Sequence, residues 1–524
     1  MAGFYLAQGG TTLSIITPAG AVTNLTLPTG ITLDANRRLR GAVLGNQVVL
    51  VNSPSENLMI DREGTVRILV PRPPSTAFTL GTASGGTLSG TFNGKFTYIV
   101  KDLAGNLISE SEFSPVSGNA SPSTQHLAVT LLETSNQTVS GRRLYRTATG
   151  PGAAYFQWLD IEGNTQTAVN DDLADAGLST IAAPTDLGNP PKFTHIVAWG
   201  GRLWGRTDEA IDTLHASGIG KAYGWPSSLR YPIPPTNKDQ TGITGFIPRR
   251  DFLGVGRRDS LHKITTSSAT SYNRVTEADG VGLWAADSVA VAHDVGYFLG
   301  NPFGVYRWGS QIENISTPKV KAWFDTDTYF NRARFDQAVG CYDPLRNVYI
   351  LNLSAAGSTD LDRWIEYDIA SDTWWGPHIT SEFTPTGCVT IRDANDVAVP
   401  AFLASDGKLY KPQATKTDGS ATGVALDVYT NFLSANSPDI HKTWLDPTIV
   451  SKIQASGTLT VTPYIGGLDA SAGTAISHTM TLGREVLRRL GSGRFCQLRL
   501  QNSTAGVDVV VYGLELPFFE LGRR

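Results

Sequence analysis

The sequence predicts an all-β chain: an irregular β-propeller-like body, an inserted immunoglobulin- or fibronectin-like sandwich and a C-terminal β-sandwich. Three observations predict it. Charged residues are 17% of the chain against 41% hydrophobic, with 54 Gly and 28 Pro, a balance of many tight turns and few solvated helices. Apolar residues alternate with period two in several short runs, as on strands with one packed face. One pattern, an apolar strand, a tight turn and a strand ending in an aromatic, recurs at about 40–50 residues, the length of a propeller blade. At 524 residues the chain exceeds the roughly 250–300 residues one core serves, so two to four domains are expected.

Three stretches read as linkers, because Pro removes ladder donors and Gly and Ser favour disorder: Pro71 to Gly90, Ala183 to Pro191 and Lys411 to Ser420. They delimit four pieces. Residues 1–75 hold N-terminal strands that could complete the propeller, among them a hairpin with Gly45-Asn46 between two apolar runs. Residues 91–186 have the size and strand spacing of a sandwich, with Phe96, Tyr98 and Val100 alternating, a turn at Asp102–Asn106, and Leu127, Val129 and Leu131 alternating again.

Residues 192–410 form the propeller-like body, with five or six blades expected. Its instances are His195–Trp204, Phe252–Ile264, Val289–Leu299 with Gly304–Trp308, Val339–Leu351 with Trp364–Ile369, and Phe402–Tyr410. Residues 424–524 alternate at Leu459–Tyr464, Phe495–Leu500 and Val507–Tyr512, as in a second sandwich. The longer helical pieces are expected only near Lys319–Ala333 and Leu482–Leu490.

Chemistry is sparse. Net charge is -4, so no overall basic field would hold nucleic acid or an anionic membrane. No run of about 18 apolar residues suggests a membrane span. Nucleotide-binding, serine-hydrolase and zinc-protease motifs are absent, and no cofactor, metal or catalytic activity is expected. Asp325-Thr-Asp327 could open a calcium loop, but the later ligands of one do not follow. Asp360, Asp362, Glu366 and Asp368 are the densest acids near aromatics, and read as solvated faces and turn caps unless two of them face each other across a sugar. Cys341, Cys388 and Cys496 are too far apart for a Cys-x-x-Cys motif and read as buried free thiols.

Two sets of residues are interface candidates. Trp374 and Trp375 are adjacent on a strand and point to opposite faces, so both are covered only if the chain covers one and a partner subunit or a sugar the other. Arg484, Arg488, Arg489, Arg523 and Arg524, with Arg494 and Arg499, make a basic C-terminal stretch that could dock an acidic partner, touch DNA phosphates or protect edge strands.

Gly141–Arg146, Ala168–Asp175, Pro190-Pro191, Trp199–Trp204, His215–Ser217 with Gly224–Pro226, Gly300–Trp308 and the ending Tyr512–Arg524 follow one another in an order that resembles the tail nozzle, or tail stabilisation, proteins of short-tailed bacteriophages. The resemblance runs from about residue 91 to the end. It implies a structural subunit of a virion tail, synthesised in the host cytoplasm. Six copies would close a ring below the portal and adaptor proteins, carry tail fibres or a needle, and pass phage DNA during ejection. A bore that bound phosphates would retain its cargo, so a neutral or acidic lining is expected, with the arginine-rich end facing the adaptor or the rim. The alternative of another class is a receptor-recognition propeller that binds or cleaves surface glycan.

Overall fold

The computed structural model describes residues 4–522 except 53–55, 62–63, 131, 136, 151–153, 179, 237, 267–270, 381–382, 412–416, 419–421, 424–425, 431, 436, 468–469, 489, 503–508 and 510. Strands hold about 50% of the chain and helices about 5%, in antiparallel sheets throughout, so the chain is all-β. Two compact units separate: residues 1–379 with 385–411, and residues 380–384 with 412–524.

The first unit is a propeller of seven radial sheets with a sandwich inserted in it. Blade 1 is Tyr5–Gly9, Thr12–Ile16 and Val22–Asn24; blade 2 is Arg40–Leu44, Gln47–Val51, Leu58–Ile60 and Val66–Ile68. Blade 3 is His195–Trp199, Arg202–Arg206, Thr213–Ala216 and Arg230–Pro232; blade 4 is Ile243–Pro248, Leu253–Arg257, Ser260–Thr266 and Tyr272–Asp279. Blade 5 centres on Val295–Asn301 and Gly304–Trp308, blade 6 is Val339–Asp343, Val348–Leu353, Arg363–Asp368 and Thr373–His378, and blade 7 is Pro385–Arg392, Ala398–Ala404 and Leu409–Tyr410.

Alternation gives each blade two apolar faces, and successive faces make the cores. In blade 2, Leu50 and Ile60 pack with Leu13 of blade 1, while Val49 and Met59 pack with Ile196 and Leu203 of blade 3. Trp204 and Leu253 join blades 3 and 4; Leu261 and Phe298 join 4 and 5; Tyr297 and Tyr349 join 5 and 6. Phe402 of blade 7 lies 5.0 Å from Trp364 of blade 6. The ring closes where the Tyr5 hydroxyl of blade 1 donates to the Arg392 carbonyl of blade 7 at 2.5 Å.

Seven sheets replace the five or six blades expected, because the N-terminal residues supply two blades rather than strands that finish one. The sandwich departs from the linker expected over Pro71 to Gly90: Thr79–Ser89 is an eleven-residue strand pairing with Ser123–Thr130. The sandwich's second sheet runs Leu107–Glu110, Gly94–Lys101, Gly141–Thr147 and Tyr155–Glu162. Its core holds Phe96, Tyr98, Leu127, Val129, Leu144 and Trp158; its outer face, through Val100 and Ile108, packs on blades 2 and 3.

Among the described residues the second unit has four sheets, a two-stranded one at Thr417–Asp418 and Thr422–Gly423 and three larger ones, one of them Leu426–Tyr429, Phe495–Asn502, Thr458–Gly466 and Ile476–Thr479; its core holds Trp444, Ile449, Leu459, Val461 and Leu498. Among the described residues, helix is confined to Thr317–Val320, Ala322–Asp325 and short 3-10 pieces such as Arg332–Gln337. The helix expected over Leu482–Leu490 is a turn and the strand Arg484–Val486; Gly483, at φ +67°, takes the left-handed conformation that ends helices. No helix among the described residues is long and apolar enough to cross a membrane.

Candidate functional site

The structure separates the two tryptophans. Trp374 turns inward: its Nε1 donates to the Ile315 carbonyl at 3.2 Å, and its ring lies 4.9 Å from Tyr367. Trp375 points outward from the outermost strand of blade 6 and is 52% exposed. Of the C-terminal arginines, Arg484 and Arg488 are exposed, with Arg484 3.9 Å from Glu515, and Arg499 is held by Asp427 at 2.7 and 2.5 Å. Arg489, Arg523 and Arg524 lie outside the described residues.

The acids of blade 6 do not converge. Asp362 accepts from the Ala355 amide at 2.8 Å, Glu366 pairs with Arg346 at 2.7 Å, and Asp368 caps the turn at Ala370 and Ser371. Asp362 and Asp368 stand at opposite ends of Arg363–Asp368, about 20 Å apart at strand rise. Asp327 caps the Arg332 amide, and no cluster of three or more His, Cys, Asp or Glu among the described residues could hold a metal ion.

The structure instead brings charged side chains together where the inner strands begin. Arg40 opens the inner strand of blade 2, His195 that of blade 3 and Ile243 that of blade 4; Asp287 and Gln337 precede the inner strands of blades 5 and 6. Arg40 grips Asp287 with Nε at 2.8 Å and Nη2 at 2.7 Å, and Arg38 adds a third bond at 3.1 Å while donating to the Gln337 carbonyl at 2.6 Å. Blades 2 and 5 have blades 3 and 4 between them, so this ion triad spans the propeller axis. Burial favours protonation of Asp287, but its bonds to Arg40 and the charges of Arg40 and Arg38 outweigh that and hold it at about 2.

Beside the triad lies a cavity of about 280 Å³ bordered by Arg40, His195, Arg206, Thr244, Arg258, Trp284 and Asp336. His195 is only 9% exposed. Its Nδ1 accepts from Arg206 Nε at 3.0 Å, and its Nε2 has no partner among the described residues. Burial first, then the charges of Arg40 and Arg206, keep the ring neutral. Arg258 sits over the Trp284 ring at 4.4 Å.

A second arrangement, also unread in the sequence, lies in the other unit. Ser451 Oγ is 2.9 Å from His478 Nε2, and His478 Nδ1 is 2.8 Å from Glu485 Oε2. The order hydroxyl, imidazole, carboxylate is that of a hydrolytic triad. His478 is fully buried and Ser451 3% exposed, so the three side chains tie Thr448–Ser451, Ile476–Thr479 and Arg484–Val486 together with no open space at the hydroxyl for a substrate.

No family model and no curated protein matches the chain. Solved structures similar to it include an exo-β-1,3-galactanase from Phanerochaete chrysosporium with β-1,3-galactotriose (10% identity, 81% of this chain and 100% of that chain, TM-score 0.18). Others are a family 43 arabinoxylan arabinofuranohydrolase from Bacillus subtilis with cellotetraose (9%, 76% and 93%, 0.18) and a glycoside hydrolase family 32 structure from Bifidobacterium adolescentis (9%, 85% and 99%, 0.14). The expectation of a chain without enzymatic activity is corrected here, since the structures it is matched to are glycoside hydrolases, and it is withdrawn. TM-scores this low transfer no reaction and no catalytic residue to the chain.

Proposed function

We propose that the chain is a structural subunit of a short bacteriophage tail, assembling with copies of itself into a ring through which DNA leaves. What carries this reading is the placement of the motifs that resemble nozzle proteins. Gly141–Arg146 lies in a central strand of the sandwich, Trp199–Trp204 spans the turn of the first hairpin of blade 3, and Gly300–Trp308 spans the turn between Val295–Asn301 and Gly304–Trp308 in blade 5. Trp204 and Trp308 fill blade joints at 0% and 2% exposure. The likeness is therefore one of scaffold, in sequence order. With the ion triad across the propeller axis, a DNA passage on this reading would run between copies. Trp375, exposed on an outermost strand, suits a contact with a neighbouring copy.

Light scattering and negative-stain imaging of the purified chain test this. A closed ring that Trp375→Glu weakens is expected; a monomer at all concentrations, or an isologous dimer, would overturn it.

A second reading, a propeller that recognises glycan, is favoured by the cavity at the axial mouth. A glycan array probed with the intact chain tests it, and an array without signal counts against it.

A further inference from the structure

We infer that the axial-mouth cavity is a binding site for a carboxylate, free or carried by an acidic sugar. The inference rests on the second reading only in taking the mouth as a ligand site; it is independent of the ring.

The lining supplies donors that the protein leaves unused. A guanidinium can only donate, so the bond from Arg206 Nε makes His195 Nδ1 the acceptor and puts the proton of a neutral ring on Nε2. That N–H is buried and has no partner among the described residues, and His195 is one of the residues bordering the cavity. Buried donors are nearly always satisfied, so an orphan on a cavity wall marks the place of an absent acceptor. Arg258 has its guanidinium over the Trp284 ring, and while its backbone amide donates to Thr241 Oγ1 at 3.2 Å, its side chain makes no hydrogen bond or ion pair among the described residues. Arg206 spends Nε on His195 and only a long 3.4 Å contact on Asp208, so part of its fork also remains available.

Charge agrees with this. Three guanidiniums and one carboxylate, Asp336, line the cavity, and the Asp336 Oδ2 already accepts from Gln337 Nε2 at 2.9 Å. The nearby Asp287 is saturated by Arg38 and Arg40. A cavity of about 280 Å³ is at the small end of ligand sites, roughly 300–1,000 Å³, which suits one sugar-sized acid rather than a chain of bases. The planar fork of Arg favours a carboxylate, which takes two parallel N–H bonds.

Isothermal titration of the intact chain with D-glucuronate, D-glucose and tri-galacturonate tests the inference, with Arg258→Ala and His195→Phe as variants. Glucuronate should bind, glucose should not, and Arg258→Ala should weaken binding about tenfold, the loss of one charge-assisted hydrogen bond. Arg258 is exposed, so its replacement leaves the fold intact; circular dichroism of His195→Phe checks the buried position. Equal affinity for the monomer and the trimer indicates a free acid, and tighter binding of the trimer an acidic polysaccharide; either supports the site. Glucose binding as well as glucuronate would overturn the carboxylate and keep glycan recognition. Silence from all three at millimolar concentration would overturn both.

Discussion

His195 and His478 are both buried on β-strands, yet they are finished differently. His478 in the C-terminal unit has a partner on each ring nitrogen, Ser451 at 2.9 Å and Glu485 at 2.8 Å. His195 in the propeller has a partner on one nitrogen only among the described residues, and it is one of the residues bordering a cavity. Geometry that looks catalytic is thus closed and cross-links three strands, whereas geometry with no catalytic look is the one left open. A buried polar group reports function by what it lacks as much as by what it touches.

The largest expected effect breaks or upholds the view that the mouth is fastened by the triad. Asp287→Ala leaves Arg38 and Arg40 uncompensated in a mostly buried place and should cost about 3 kcal/mol, read from urea denaturation. A loss under about 1 kcal/mol would mean that the triad does not hold blades 2 and 5 together.

The histidines themselves come next. His478→Ala removes a fully buried ring and strands the Ser451 hydroxyl, which should cost about 2–3 kcal/mol. His195→Phe keeps the ring and loses only the acceptor for Arg206, about 1 kcal/mol. Equal costs would erase the contrast between a closed and an open site.

Much of the propeller is legible in the sequence because each hairpin is local. Gly45 at φ +60° makes the turn between Arg40–Leu44 and Gln47–Val51 that Gly45-Asn46 announces, and the period-two runs put Val49, Leu203 and Leu351 at 1% exposure or less. The number of blades is not legible, since blades 2 and 3 pack face to face across an insertion of more than a hundred residues. Nor is Thr79–Ser89, whose Gly, Ser and Thr content reads as a linker: only Leu80 and Leu88 reach the core, and the partner strand Ser123–Thr130 supplies the order. The mouth is least legible of all. Its charges come one at a time from strand starts, so no spacing links Arg40, His195, Arg258 and Asp287.

Acid should loosen the propeller through Asp287. A carboxyl held at about 2 in the fold, against 3.8 ordinarily, is a depressed group: its contribution is complete above pH 4 and is lost as pH falls through 2. The amount is about 2 kcal/mol. Asp287→Asn should abolish that part of the acid sensitivity, and an unchanged pH profile between 4 and 2 would show that other carboxylates dominate.

The smallest effects concern the thiols, which compare the last blade joint with the C-terminal core. Cys388 of blade 7 faces Cys341 of blade 6, with Sγ 3.6 Å from the Val339 carbonyl, and burial followed by the neighbouring thiol pushes it well above the ordinary range. Cys496, in the other unit, is pushed up to about 12 by burial alone. A thiol reacts as thiolate and only where a reagent reaches it; all three are buried, so all three should resist maleimide in the native state and react only in urea. Replacing each with Ala should cost about 1 kcal/mol, the transfer and cavity cost of one buried sulfur, without changing mobility on a nonreducing gel. The informative failure is selective labelling. If Cys341 and Cys388 react with native protein while Cys496 does not, the joint between blades 6 and 7 opens, next to the seam that Tyr5 closes on Arg392. Tyr5→Phe, which removes that donor, should then speed the labelling; if it does not, the opening begins at the blade joint rather than at the seam.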